Sequence, residues 1–179
     1  TLNDGELEVN FPVTINLGNY FINGGDNSRI FNVTANGNLN LTGSSYLTHG
    51  SSTDGGIIYN AGTVTISGGM EICKAATNGG AIYNAGTLTL DGGNISHCNA
   101  TNGGAIYNVG TLTINEGTIG STSSPNTATA KGGGIYSTGT LTISGGSIRG
   151  NEAGNGAAIN LYGGNFTMTG GTISGNSNS

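Results

Sequence analysis

One string governs what this chain can fold into. "GGAIYNAGTLTLDGGNI", from Gly79 to Ile95, returns as "GGAIYNVGTLTINEGTI" from Gly103, 24 residues later. Anchored on the same Ile-Tyr pair, "GGIIYNAGTVTISGG" begins at Gly55, "GGGIYSTGTLTISGG" at Gly132 and the looser "GAAINLYGGNFTMTGG" at Gly156. The intervals are 24, 24, 29 and 24 residues. Self-similarity at a fixed period of this size marks a repeat architecture, because one such unit cannot bury its apolar face alone and must stack on its neighbours. The single longer interval carries "STSSPNTATAK" (Ser121–Lys131), which predicts a corner loop inserted over residues 120–131. Upstream, "RIFNVTANGNLNLTG" is a degenerate member with Phe31 in the Tyr place. Residues 1–28 show alternating apolar positions without a clear register and are expected to form one or more divergent first coils or a cap. Residues 29–179 are expected to form one continuous array.

Within each unit the apolar period is two. In "TLTL", Leu88 and Leu90 point one way while Thr87, Thr89 and Asp91 point the other. Ile82 and its equivalents Ile58, Ile106, Ile135 and Ile159 are placed inward, because the preceding position varies among Ile, Ala and Gly. A third apolar point, at Ile95, Ile119, Ile148 and Ile173, follows the second glycine pair. Each short strand ends in Gly or Asn, residues that accept positive φ at a bend. Turn chemistry recurs at one-coil intervals and never at hairpin spacing, so each strand is predicted to pair in parallel with its equivalent one coil away. The predicted fold class is all-β: a single-stranded parallel β-helix, or solenoid, with three short strands per coil of about 24 residues and six to seven coils.

Composition excludes the competing classes. Many of the 36 glycines fall in pairs at a long fixed spacing, between recurring Val, Ile, Leu and Tyr, unlike collagen or a disordered low-complexity chain. Nine acidic and four basic residues give a net charge of −5, and four scattered cations cannot form the basic stripe that nucleic acid or anionic lipid requires. The apolar runs are too short for a membrane-spanning helix. Low charge with abundant Asn, Thr, Ser and Gly suits an exported repeat protein, so the expected location is extracellular, at a cell surface.

The "GGAI" strings at Gly79–Ile82 and Gly103–Ile106, with the variants "GGII", "GGGI" and "GAAI", resemble the motif of the chlamydial polymorphic outer-membrane protein repeats. They are also similar to the repeats of large adhesin-like surface proteins of bacteria and archaea. The likeness covers roughly residue 29 to the end, and the companion Phe-x-x-Asn motif is not regularly present. The resemblance implies a right-handed parallel β-helix of the pectate lyase-like kind, displayed as a passenger or stalk and used in attachment.

Several rows of residues are candidates for chemistry. Tyr59, Tyr83, Tyr107 and Tyr136 are expected to face outward as an aromatic row, with Phe31 extending it; such a row either grips a sugar or protein or shields the sheet. Thr63, Thr87, Thr111 and Thr140 form one column, with Thr65, Thr89, Thr113, Thr142 and Thr167 beside it. A Thr-x-Thr array of this kind can order water, as on an ice-binding face, or simply suit an exposed strand. Asn60, Asn84 and Asn108 are expected to hydrogen-bond along the axis and tie down turn backbone, with Asn78, Asn102 and Asn155 in a second structural set. The carboxylates Asp26, Asp54, Glu71, Asp91, Glu116 and Glu152 are solitary; only Asp91 and Glu116 fall on neighbouring coils, where they read as a solvated pair. His49 and His97 differ in repeat phase and read as turn residues. Cys73 and Cys98, one coil plus one residue apart, are either a disulfide between coils or two free thiols.

The expected function is a non-enzymatic, cofactor-free, adhesin-like domain: a rigid stalk presenting a face to a host or neighbour-cell glycan or protein. No nucleic acid and no membrane insertion are expected. The alternatives are a polysaccharide-active β-helix lyase or hydrolase, and an ice-binding solenoid. The final "GGTISGNSNS" stops where another "GGAI" would start, which predicts that the native chain continues.

Overall fold

Alternation with a two-residue period allows a strand to bury one side chain in two, and a 24-residue repeat brings the same alternation back to the same place. A computed structural model, describing residues 1–2, 5–68 and 76–178, contains strands and no helix. Those strands stack in parallel as a solenoid. Ile82, Tyr83 and Asn84 pair with Ile106, Tyr107 and Asn108 of the next coil and with Ile58, Tyr59 and Asn60 of the previous one. Like sits on like.

The first sheet has seven strands in the order Leu7–Val9, Phe31–Val33, Ile58–Asn60, Ile82–Asn84, Ile106–Asn108, Ile135–Ser137, Ile159–Leu161. Seven rungs enclose six turns, each advancing about 4.8 Å. The second sheet runs from Pro12–Asn16 through Asn38–Thr42, Thr63–Ile66, Thr87–Ile95, Thr111–Ile119 and Thr140–Ile143 to Phe166–Met168, with Ser147–Arg149 and Thr172–Ser174 attached. A third sheet comprises Ala76–Asn78, Asn99–Asn102, Thr127–Lys131 and Glu152–Asn155. Residues 1–28 supply the first rung, whose Leu7–Val9 and Pro12–Asn16 pair with Phe31–Val33 and Asn38–Thr42.

The interior is a continuous aliphatic column. Ile58, Ile82, Ile106 and Ile135 from the first sheet and Val64, Leu88, Leu112 and Leu141 from the second are fully buried. Ile95, Ile119 and Ile148 close the third side. Each such side chain removed from water contributes about 1.5–3 kcal/mol. In the last rung the inward columns continue as Phe166, Met168 and Ile173, which are exposed.

Three local features depart from the expectation. Phe31 does not occupy the Tyr place: it pairs with Leu7 and Ile58 and is fully buried, and Asn32 stands opposite Tyr59. The alignment slips by one residue there, and in a strand one residue reverses the face. The 120–131 segment is only partly a loop: Thr127–Lys131 is a strand of the third sheet and Asn126 is fully buried, leaving 121–125 to protrude. The third strand stands where expected in two rungs, as Ser147–Arg149 and Thr172–Ser174, and in the two rungs before them it is merged into the second sheet. Ile95 and Ile119 end long second-sheet strands that bend through a bulge near Asp91 and Glu116, and the third sheet points Ala100, Ala128 and Ala153 inward.

Candidate binding faces

The tyrosine row is set by register. Tyr59, Tyr83, Tyr107 and Tyr136 sit opposite one another in consecutive first-sheet strands. Their rings stack with centroids 5.3, 5.2 and 4.8 Å apart, and the first two pairs lie within 7° of parallel. Tyr162, which follows the last first-sheet strand, adds a fifth ring 6.3 Å from Tyr136. A cation lies over each end ring: the Arg29 guanidinium is 5.2 Å from the Tyr59 ring and the Lys131 ammonium 5.0 Å from that of Tyr162. Arg29 is fixed there by an ion pair with Glu6 and by donating to the Asp54 carbonyl and the Ser52 hydroxyl, both at 2.9 Å. The faces of Tyr59, Tyr83 and Tyr107 are therefore occupied by rings or a cation, and these three offer their edges and phenol oxygens to a ligand. Tyr59, Tyr83 and Tyr107 are half-buried, whereas Tyr136, beneath Tyr162, is only 7 % exposed. Burial first, then the Asp54 carboxylate and the neighbouring tyrosines, raises the Tyr83 phenol above its ordinary 10.0. Burial and then Tyr107 and Tyr162 raise Tyr136.

Beside this row, across the Gly-Gly bend, runs a polar row made of Asp54, Asn78, Asn102, Lys131 and Asn155. Asn78 donates to Asp54 at 2.9 Å and Asn102 to Asn78 at 3.4 Å. The two rows meet: in the last rung Asn160, opposite Tyr136, donates to Asn155 at 3.1 Å. The bend demands glycine. Gly79 and Gly103 have φ of +65° and +63°, and a Cβ would collide with the carbonyl oxygens of Ile82 and Ile106.

The threonine columns lie on the outer face of the second sheet. Thr63, Thr87, Thr111 and Thr140 are in register, as are Thr65, Thr89, Thr113, Thr142 and Thr167. Asn38 and Asn40 continue the columns toward the first rung, where Pro12 and Thr14 follow. A shallow hollow lined by Pro12, Thr14, Asn38, Asn40 and Thr65 interrupts the face at that end. Next to the threonines, Asn115 donates to Asp91 at 2.7 Å and Ser144 to Asn115 at 2.6 Å, a polar chain over three rungs.

Two buried asparagine ladders hold the corners. Asn60 donates to Asn84 and Asn84 to Asn108, both at 2.7 Å, and Asn108 donates to the Ser137 hydroxyl at 3.0 Å. Each also donates to a corner carbonyl, of Thr87, Thr111 and Thr140 respectively. This is the structural role the sequence suggests. The second ladder, Asn126 to Asn151 to Asn176 at 2.9 and 2.8 Å, caps the carbonyls of Ile95, Ile119 and Ile148. Sequence reasoning missed it because Asn126 follows the five-residue protrusion. The recoverable signal was Asn151 and Asn176, each three residues after the inward Ile.

The remaining candidates stay apart. Asp91 and Glu116 are backbone partners across the bulge, and one Asp91 oxygen is taken by Asn115. Among the described residues no three His, Cys, Asp or Glu side chains gather to hold a metal ion. His49 and His97 have φ of 55° and 60° and turn corners. Cys98 is fully buried and disulfide-bonded; Cys73 and Glu71 lie outside the described residues. Among those residues no helix is long and apolar enough to cross a membrane.

The geometry defines the class, a parallel β-solenoid with regular polar faces. Comparison with known proteins found no matching family model, no matching curated protein and no matching solved structure.

Proposed function

We propose that this domain is a rigid, non-enzymatic stalk of an adhesin-like cell-surface protein that presents a side face to a glycan or protein of a host or neighbouring cell. The observation that carries the reading is the continuity of the outer rows. Tyrosines, asparagines and threonines recur in register over several rungs, and the tyrosines and the asparagines also brace one another, so their spacing is fixed before any partner arrives. Pre-ordered groups lose less entropy on binding than mobile ones. The "GGAI" resemblance supports the same reading. The test is binding of the isolated domain to arrays of glycans and to extracellular-matrix and cell-surface proteins. Selective, saturable binding without chemical change of the ligand is expected. Cleavage of a polysaccharide by the purified domain would overturn the reading in favour of a lyase or hydrolase.

The two threonine columns favour one further reading, ice binding. Thermal hysteresis measured on the domain tests it. Activity lost when Thr89 or Thr113 is replaced by Tyr would establish the threonine face as the site, and absence of hysteresis in the parent would dismiss it.

A further inference from the structure

Resting on that display reading, we propose that the binding strip is the seam where the tyrosine and asparagine rows meet, and that its ligand is a neutral, linear glycan lying along the solenoid axis. The stacking geometry excludes the usual sugar platform, because a pyranose needs an open aromatic face and the faces of Tyr59, Tyr83 and Tyr107 are covered. What these half-buried rings present is their rims and phenol oxygens, one set per rung. On the other side of the seam stand the amides of Asn78 and Asn102, also half-buried. Phenols and amides each donate and accept, which matches a hydroxyl-rich chain whose every unit does both.

Charge argues for a neutral chain. Among the described residues of the three open rungs the charged group at the seam is the Asp54 carboxylate, and the whole molecule is acidic, so a polyanion is repelled. The cations Arg29 and Lys131 stand at the two ends, each over a ring. Orientation follows from the spacing. Equivalent rings stand 5.2–5.3 Å apart, one to each rung of about 4.8 Å, and an extended pyranose chain advances by about one ring length per unit. A chain crossing the axis would meet one phenol and then the Asn84 or Asn108 corner, whose amides are buried. Length is bounded too. Arg29 with its Glu6 partner closes one end, and Tyr162, 68 % exposed, rises over Tyr136 at the other. The open strip spans three rungs, from Tyr59 to Tyr107.

The experiment titrates the domain with cello-, xylo- and chito-oligosaccharides from disaccharide to hexasaccharide, followed by calorimetry and by the tyrosine ring signals in NMR. Affinity is expected to rise with length to about the trisaccharide or tetrasaccharide and then level off, with shifts at Tyr59, Tyr83 and Tyr107. Tyr83→Phe with Tyr107→Phe keeps the ring stack and removes two hydroxyls. Roughly five- to tenfold weaker binding per hydroxyl is expected, at an unchanged unfolding midpoint. Three results would overturn the proposal: no binding of any of these oligosaccharides, binding unchanged in the double Phe variant, or affinity independent of length. If Thr89→Tyr abolishes glycan binding while the Phe variant retains it, the seam is refuted and the display reading stands. Binding of protein ligands alone likewise refutes the seam and leaves the display reading in place. Failure of both glycan and protein arrays removes the display reading as well.

Discussion

Replacing Asn84 by Ala probes the hydrogen-bond ladder that holds the corner between the first and second sheets. Asn84 is fully buried, accepts from Asn60 at 2.7 Å and donates to Asn108 at 2.7 Å and to the Thr111 carbonyl at 3.0 Å. Two of these hydrogen bonds are buried and the third, to the Thr111 carbonyl, is half-buried, and each contributes about 1 kcal/mol. Their loss also leaves the Asn108 amide oxygen short of a partner in the interior, at about 1–3 kcal/mol for a group that water cannot reach. The expected cost of Asn84→Ala is therefore about 4–6 kcal/mol, a large part of the roughly 5–15 kcal/mol that holds a domain together. Asn115 is the matched control. It also bonds to side chains on both neighbouring rungs, Asp91 and Ser144, but it is exposed and water replaces what is lost. Asn115→Ala should cost less than about 1 kcal/mol. Urea unfolding followed by far-ultraviolet circular dichroism measures both, with equal slopes required for the comparison. Equal losses in the two variants, or a loss below about 1 kcal/mol for Asn84→Ala, would refute the claim that burial of the ladder is what matters.

The tyrosine stack predicts an alkaline weakness. Because Tyr83 and Tyr136 are raised above 10.0, the unfolded chain releases their protons first as pH climbs; stability is fully present below that value and falls through the folded pKa values. Urea midpoints at about pH 8 and about pH 11 should show the fall, and Tyr83→Phe should reduce it. Gly103→Ala should cost more than about 2 kcal/mol by the same assay, since φ is +63° and a Cβ meets the Ile106 carbonyl, whereas Gly154→Ala meets no atom closer than 3.9 Å and should stay within about 0.5 kcal/mol. Exchanging residues 120–125 for the Arg-Gly pair found at 149–150 rebuilds the corner that leads from Ile148 to Asn151, and stability should change by less than about 1 kcal/mol.

The solenoid is legible in the sequence because the repeat carries its own register: once Ile82 and Ile106 are aligned, pairing, direction and the buried face follow together. Where the anchor weakens, so does the reading. At 29–33 the string "RIFNV" offers two apolar residues in succession, and side-chain size misleads where alternation decides. The third sheet escapes notice because its inward residue is Ala, small enough for a narrow corner and carrying no strand signature in sequence. Tyr162 lies outside the strand phase and reaches the stack from the turn after Leu161, a placement only three-dimensional packing creates. The tyrosine row itself is visible in the spacing. The closure of its ring faces to a ligand is not, because ring orientation is set by the stacking of neighbours.

The direct test of the stacked-coil account is the pattern of interstrand nuclear Overhauser contacts along the first sheet. The account predicts contacts between residues 24 apart from Ile58 through Asn108, stepping to 29 apart between Ile106–Asn108 and Ile135–Ser137, all running in one direction. Contacts that run antiparallel, or a constant offset across the 121–125 protrusion, would contradict it.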